Sequence, residues 1–119
     1  MNPITRFQIT RDNAGFTAFG LPISNRKYQT VLTALTEQTL TVPITGDSTY
    51  PGIAAVFSFQ PGTTVWVAIN ATATVPSGSF TLTDSEENPQ VRYLKAGDVI
   101  HMITRSTTSE VGVMLYATY

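Results

Sequence analysis

The chain contains no cysteine, which excludes disulfides, thiolate metal sites and a cysteine nucleophile and leaves the redox compartment open. It has one histidine, His101. A serine–histidine–carboxylate triad would have to use it, yet no Gly-x-Ser-x-Gly elbow is present. A histidine-rich metal site of the kind found in metal-binding jelly rolls needs two or three imidazoles, which this chain cannot supply. Gly-x-Gly occurs nowhere and no Gly-Lys-Ser/Thr follows, so no phosphate-cradling loop is encoded. Neither enzymatic activity nor a bound metal or other cofactor is expected, and His101 reads as a structural or interface residue.

Charge is scarce as well. Charged side chains make up 13% of the 119 residues, against about 25% in ordinary globular proteins. Seven basic and eight acidic groups leave a formal charge of -1, too little to attract nucleic acid or an anionic membrane. The acidic run Asp84-Ser85-Glu86-Glu87-Asn88 lacks the spacing and glycine of a calcium loop and reads as a solvated connection. Asp12, Glu37, Asp47, Asp98 and Glu110 are scattered, with no pair identifiable as facing carboxylates. The N-terminus Met1-Asn2-Pro3-Ile4-Thr5-Arg6 has no signal-peptide pattern. The longest charge-free stretch, 48–83, is broken by Pro51, Gly52, Pro61, Gly62, Pro76 and Gly78, so it is no membrane helix. A soluble single domain is expected.

Threonine takes the place of charge. Twenty Thr and eight Ser account for nearly a quarter of the chain. β-Branched threonine suits a half-exposed pleated surface and disfavours helix. Hydrophobic residues, at 42%, are ordinary for a folded chain and argue against disorder.

Residues 1–26 read as an extended arm with one short strand near Phe7-Gln8-Ile9-Thr10, since Gly15, Gly20 and Pro22 interrupt any longer element. Phe7, Phe16 and Phe19 need cover, each worth roughly 1.5–3 kcal/mol on burial. Residues 27–119 read as a sandwich. Strands are expected at 28–35, where helical spacing competes, and at 39–42, 53–60, 65–69, 90–94, 99–104 and 111–118. A further short one is possible at Phe80-Thr81-Leu82. Pro61-Gly62 and Lys95-Ala96-Gly97-Asp98 are turn signals. About eight short strands without a convincing helix predict an all-β antiparallel sandwich or barrel. Period 2 nominates Phe57, Phe59, Val65, Val67, Ile69, Ile100, Val113 and Leu115 for the core. Val65-Trp66-Val67-Ala68-Ile69 is apolar on both faces, so the second face needs cover by loops, the arm or another subunit. Trp66 reads as core and Tyr50, in a loop composition, as a surface aromatic. Asn70-Ala71-Thr72 matches a glycosylation sequon by pattern, read as chance.

The segments Val65-Trp66-Val67-Ala68-Ile69-Asn70, Val75-Pro76-Ser77-Gly78, Glu87-Asn88-Pro89, 93–100 and 111–116 together resemble a recurring small structural protein of tailed bacteriophages. Val31-Leu32-Thr33-Ala34 and Thr39-Leu40-Thr41-Val42-Pro43 extend the likeness to about three quarters of the chain, with the arm outside it. The resemblance implies a jelly-roll-like sandwich that decorates or cements a virion on the capsid exterior, made in the host cytoplasm, with no catalytic residues. The expected partners are the major capsid protein and further copies of the chain, as a dimer or trimer, since closed symmetric assemblies are the default. Arg6, Phe7, Arg11, Phe16, Phe19 and Tyr50 are the candidate partner-binding residues. The arm either tethers a neighbouring subunit or adds an edge strand to its own body. The alternative role is a receptor- or glycan-binding fibre or spike module of a phage particle.

Overall fold

Alternating side chains dictate the architecture. In 53–59, Ile53, Ala55 and Phe57 are buried and Phe59 packs against them, while Ser58 between them is exposed. The computed structural model describes residues 3–6, 22–44 and 52–118, and the backbone of 10–11 and 17–18. Its strands are Thr10–Arg11 (β1), Thr17–Ala18 (β2), Lys27–Thr33 (β3), Gln38–Thr41 (β4), Gly52–Phe59 (β5), Val65–Ile69 (β6), Ser85–Glu87 (β7), Val91–Lys95 (β8), Val99–Thr104 (β9) and Thr108–Thr118 (β10). No helix occurs among the described residues.

Two antiparallel sheets of four, ordered β3-β10-β5-β8 and β4-β9-β6-β7, form the body. Within these sheets the first strand pairs with the last, the second with the seventh, the third with the sixth and the fourth with the fifth. That nested pairing is the winding of a jelly roll. The expected all-β sandwich is therefore the observed fold. Its core runs between the sheets through Leu32, Ile53, Val65, Ile100 and Leu115, each with essentially no exposure. Each such side chain contributes roughly 1.5–3 kcal/mol by leaving water. Of the eight residues nominated for the core, Phe59 and Ile69 are partly buried against it and the other six lie within it.

Turn chemistry fixes the register. Gly62 (φ 81°) and Gly97 (φ 88°) each occupy the third position of a four-residue turn. Thr63 N–H donates to the Gln60 carbonyl at 3.2 Å and Asp98 N–H to that of Lys95 at 3.1 Å. A positive φ at that position is the type II requirement. Asn70 and Asn88 also take positive φ, and their amides serve as strand ends. Asn70 Oδ1 accepts from Val99 N–H while its Nδ2 donates to Asp98; Asn88 Oδ1 accepts from Val65 N–H. The sequon asparagine thus has a structural use.

Three readings are corrected. Phe80-Thr81-Leu82 is not a strand, and the free side of β6 is taken instead by β7, which lies inside the acidic run read as a loop. Glu86, opposite Val67 on β7, meets Arg92 of β8 with Nε–Oε2 at 3.0 Å. That pair closes one side of the sandwich, and Arg92 Nη1 also covers the Val91 carbonyl, guarding an edge strand against a foreign partner. Trp66 is not core. With Val65 and Val67 inward, parity sends it to the outer face, where it is half-buried.

The arm begins and ends on its own body. Ile4 is 2% exposed and belongs to the core. Ala117 N–H donates to the Thr5 carbonyl (2.7 Å) and Leu115 N–H to that of Arg26 (2.9 Å), so both segments extend the β3 side of β10. Asn25 clasps them together, its Oδ1 accepting from Thr5 N–H and its Nδ2 donating to the Pro3 carbonyl. Between them, β1 and β2 pair Thr10 with Ala18 and Arg11 with Thr17 in a ladder separate from both larger sheets. Of the strand expected at 7–10, only Thr10 lies within the described residues. Ile4→Ala should lower unfolding stability by about 2–4 kcal/mol, the loss usual for a buried aliphatic side chain. Urea denaturation of the isolated protein measures it; a change under about 0.5 kcal/mol would mean the start of the chain is not part of the core.

Candidate functional site

The sequence-nominated binding residues lie at the clasp, in the separate β1-β2 ladder or outside the described residues. Arg6 sits at the base of the excursion, bridged in parallel to Ala117. Arg11 pairs with Thr17 in the separate ladder. Phe7, Phe16, Phe19 and Tyr50 lie outside the described residues. The base itself is well held. Buried Ser24 donates from Oγ to the Leu115 carbonyl (2.6 Å), and Tyr116 donates its hydroxyl proton to the Pro22 carbonyl (2.7 Å). Residues 3–6 and 22–26 are therefore held side by side on the sheet.

A second site lies on the outer face of the β4-β9-β6-β7 sheet. Register places Trp66 beside Ile103 and Glu87, and Ala68 beside His101 and Ser85. Ala68 is 1% exposed although it faces away from the core. The cover expected for this second face comes from the 70–84 connection, whose Ala73 is also buried. Glu37 and His101 fasten it. Glu37 Oε1 lies 2.9 Å from His101 Nδ1, and Oε2 accepts from Ala73 N–H at 2.8 Å. The hydrogen bond to His101, aided by that from Ala73, lowers the Glu37 carboxyl below its ordinary value against the opposing effect of burial. His101 thus joins the sheet to the loop through Glu37.

Beyond Ala73 the connection frames a cleft of about 590 Å³ over Trp66, with Pro76, Phe80, Leu82, Ser85 and Glu87 among its lining. The Arg105 guanidinium lies 5.8 Å from the Trp66 ring centroid, within cation–π range. Its Nη2 donates to the Pro76 carbonyl at 2.8 Å, tying the far wall to the sheet. Phe80 and Leu82 stand wholly in solvent, at 110% and 100% exposure. No sequence signal separated them from a strand, because alternate apolar residues read alike in either setting.

A third concavity opens between the sheets beside β3 and β4. It is an apolar crevice of about 210 Å³, walled by Tyr28, Leu40, Ile100, Met102, Val111 and Val113. It exists because Thr30, at an inward register opposite Val111, is short and polar. Gln38 crosses from β4, accepting from the Thr30 hydroxyl (2.9 Å) and donating to the Val31 carbonyl (3.0 Å). Among the described residues, no group of three or more His, Asp or Glu is placed to hold a metal ion. No known protein family, curated protein or solved structure matches the chain.

The Glu37 clasp predicts a pH dependence. A lowered native pKa gives stabilisation that is present above the unfolded-state value and lost as pH falls through the native one. Glu37→Gln should lower Tm by about 4 °C near neutrality, the shift that a loss of ~1 kcal/mol produces in a domain of this size. The gap between the two proteins should narrow as pH falls through and below the ordinary carboxylate range and Glu37 takes up its proton. Thermal melts across that range provide the measurement, and a gap independent of pH would rule out an ionised Glu37 as the source.

Proposed function

We propose that the chain is a structural virion protein that decorates or cements the capsid of a tailed bacteriophage, binding across neighbouring major capsid subunits. The observation that carries this reading is the clasped N-terminal excursion. Residues 3–6 and 22–26 are locked to the jelly roll, and the segment between them forms a ladder of its own. A body that anchors both ends of a contact segment limits the entropy lost when that segment meets a partner. Arg6, Phe7, Arg11, Phe16, Phe19 and Tyr50 are assigned to the capsid contact. Binding only the assembled shell favours it over its separated parts by mass action, the way any ligand stabilises the state it recognises. The phage likeness of the strand and turn segments points the same way. Jelly rolls also serve as lectin domains, so fold alone does not decide the role.

The alternative, a glycan-binding fibre or spike module, draws support from the Trp66 cleft, whose lining includes the hydroxyl-bearing Thr74, Ser77, Thr81 and Ser85. One feature favours the capsid reading over it. Arg105 already sits over the indole that a sugar ring would stack upon.

Replacing residues 7–21 by a short Gly-Ser linker tests the proposal without touching Ile4, Ser24 or Asn25. The variant should keep the wild-type melting temperature yet fail to co-sediment with capsids that lack the protein. Undiminished capsid binding would overturn the assignment, and saturable binding of a glycan abolished by Trp66→Ala would favour the alternative.

A further inference from the structure

We propose that copies of this chain join head to tail, Phe80 of one copy entering the crevice between β3 and β4 of the next. Two features of the monomer are complementary, and among the described residues neither is satisfied. Phe80 and Leu82 are apolar and wholly exposed. The crevice is an unfilled apolar volume of about 210 Å³ with a polar rim of Gln29, Thr30, Gln38 and Thr39. A cavity of about 150 Å³ lined by aliphatic groups accommodates a benzene ring, so a phenyl side chain fits this one. Its walls gain dispersion contacts that they otherwise lack. Leu82, two residues on and equally exposed, would seat on the rim.

Placement in the fold makes the contact one between copies. The loop bearing Phe80 precedes β7 at one end of the β4-β9-β6-β7 sheet, and the crevice opens beside β4 at the other. Three strand spacings, roughly 14 Å, separate those ends. The loop is also prepared for its role. Thr74 N–H donates to Ser85 Oγ at 3.0 Å, Thr74 and Thr83 share a hydroxyl contact at 3.3 Å, and Arg105 holds Pro76. A side chain presented on a pinned loop loses little freedom when it docks. A net charge of -1 offers little repulsion between copies.

A contact in which one patch meets a different patch is heterologous, giving a ring where the rotation closes and an open chain where it does not. Each copy then offers one knob and one hole. This inference does not depend on capsid binding and is tested on the isolated protein.

Phe80→Ser removes the knob, and Thr30→Trp fills the hole. Sedimentation velocity of the wild type should show a species larger than a monomer, growing in share with concentration. Each variant alone should sediment as a monomer. An equimolar mixture should yield a 1:1 dimer and nothing larger, because the knob of Thr30→Trp finds the open crevice of Phe80→Ser and no second contact remains. A monomeric wild type, a Phe80→Ser protein that assembles normally, or a mixture of folded variants that stays monomeric would each overturn the proposal. Gln38→Phe provides a second plug should Thr30→Trp fail to melt cooperatively. Retained capsid binding by a monomeric Phe80→Ser protein would leave the capsid reading intact. A wild type that self-associates as described but does not bind capsids would count against that reading alone.

Discussion

One whole sheet and the start of the described chain are fastened to the last strand. β10 runs through the middle of one sheet, paired along one side with β5 and along the other with β3. Beyond the first residue of β3, Leu115 and Ala117 continue donating to Arg26 and Thr5. Its inward residues Val111, Val113, Leu115 and Ala117 are all buried. Its outward Tyr116 holds Pro22. The strand made last is therefore the template on which the first residues are laid. Neither the β3 edge nor the clasp can form until it is in place. Such pairing of distant segments carries a high loop-closure entropy, and folding by way of it is slow compared with a helical chain of equal length.

The second sheet solves a different problem. A strand that is apolar on both faces, such as 65–69, cannot leave one face to water without cost. The 70–84 connection covers half of that face, pinned where Glu37 holds both His101 and Ala73. One carboxylate spans a sheet and a loop with charge-assisted hydrogen bonds, which exceed neutral ones in strength. The other half is left as the Trp66 cleft, with Arg105 bracing the loop that carries Phe80. The cover that protects the sheet is thus also what sets an apolar side chain out in solvent.

How much of this was legible in the sequence depends on how local the cause was. β5 and β6 could be read because their alternation is strict and Pro61-Gly62 lies between them. Trp66 was misread as core although its parity with Val65 and Val67 places it outward. The strand at 85–87 gave no sign of itself, because Glu86 stands at an inward register only by virtue of Arg92 on another strand. Phe80-Thr81-Leu82 has the alternation of a strand and lacks a partner, since β7 already occupies that side of β6. The clasp was equally hidden. Asn25 and Ser24 imitate strand hydrogen bonds with their side chains, and no periodicity announces that. Glu37 and His101, 64 positions apart, meet only through the register of β4 against β9.

The threonine surface now has a physical meaning that composition alone did not supply. Thr33, Thr36, Thr39, Thr41, Thr72, Thr74, Thr81, Thr83 and Thr108 are all exposed. A threonine has one stiff side-chain torsion, whereas burying a lysine or glutamate forfeits up to about 1.5–2 kcal/mol of rotamer freedom. A surface of this kind sheds its water and orders at small cost. It also makes few contacts that salt can screen, since exposed ion pairs weaken as ionic strength rises. Both properties favour broad association between neutral surfaces over capture of a charged ligand. Arms held at both ends, an apolar knob and an apolar crevice at opposite ends of one sheet follow the same principle. Specificity then rests on shape and on the fixed positions of a few side chains, while among the described residues the Glu86–Arg92 and Glu37–His101 pairs close the sandwich and hold its loop.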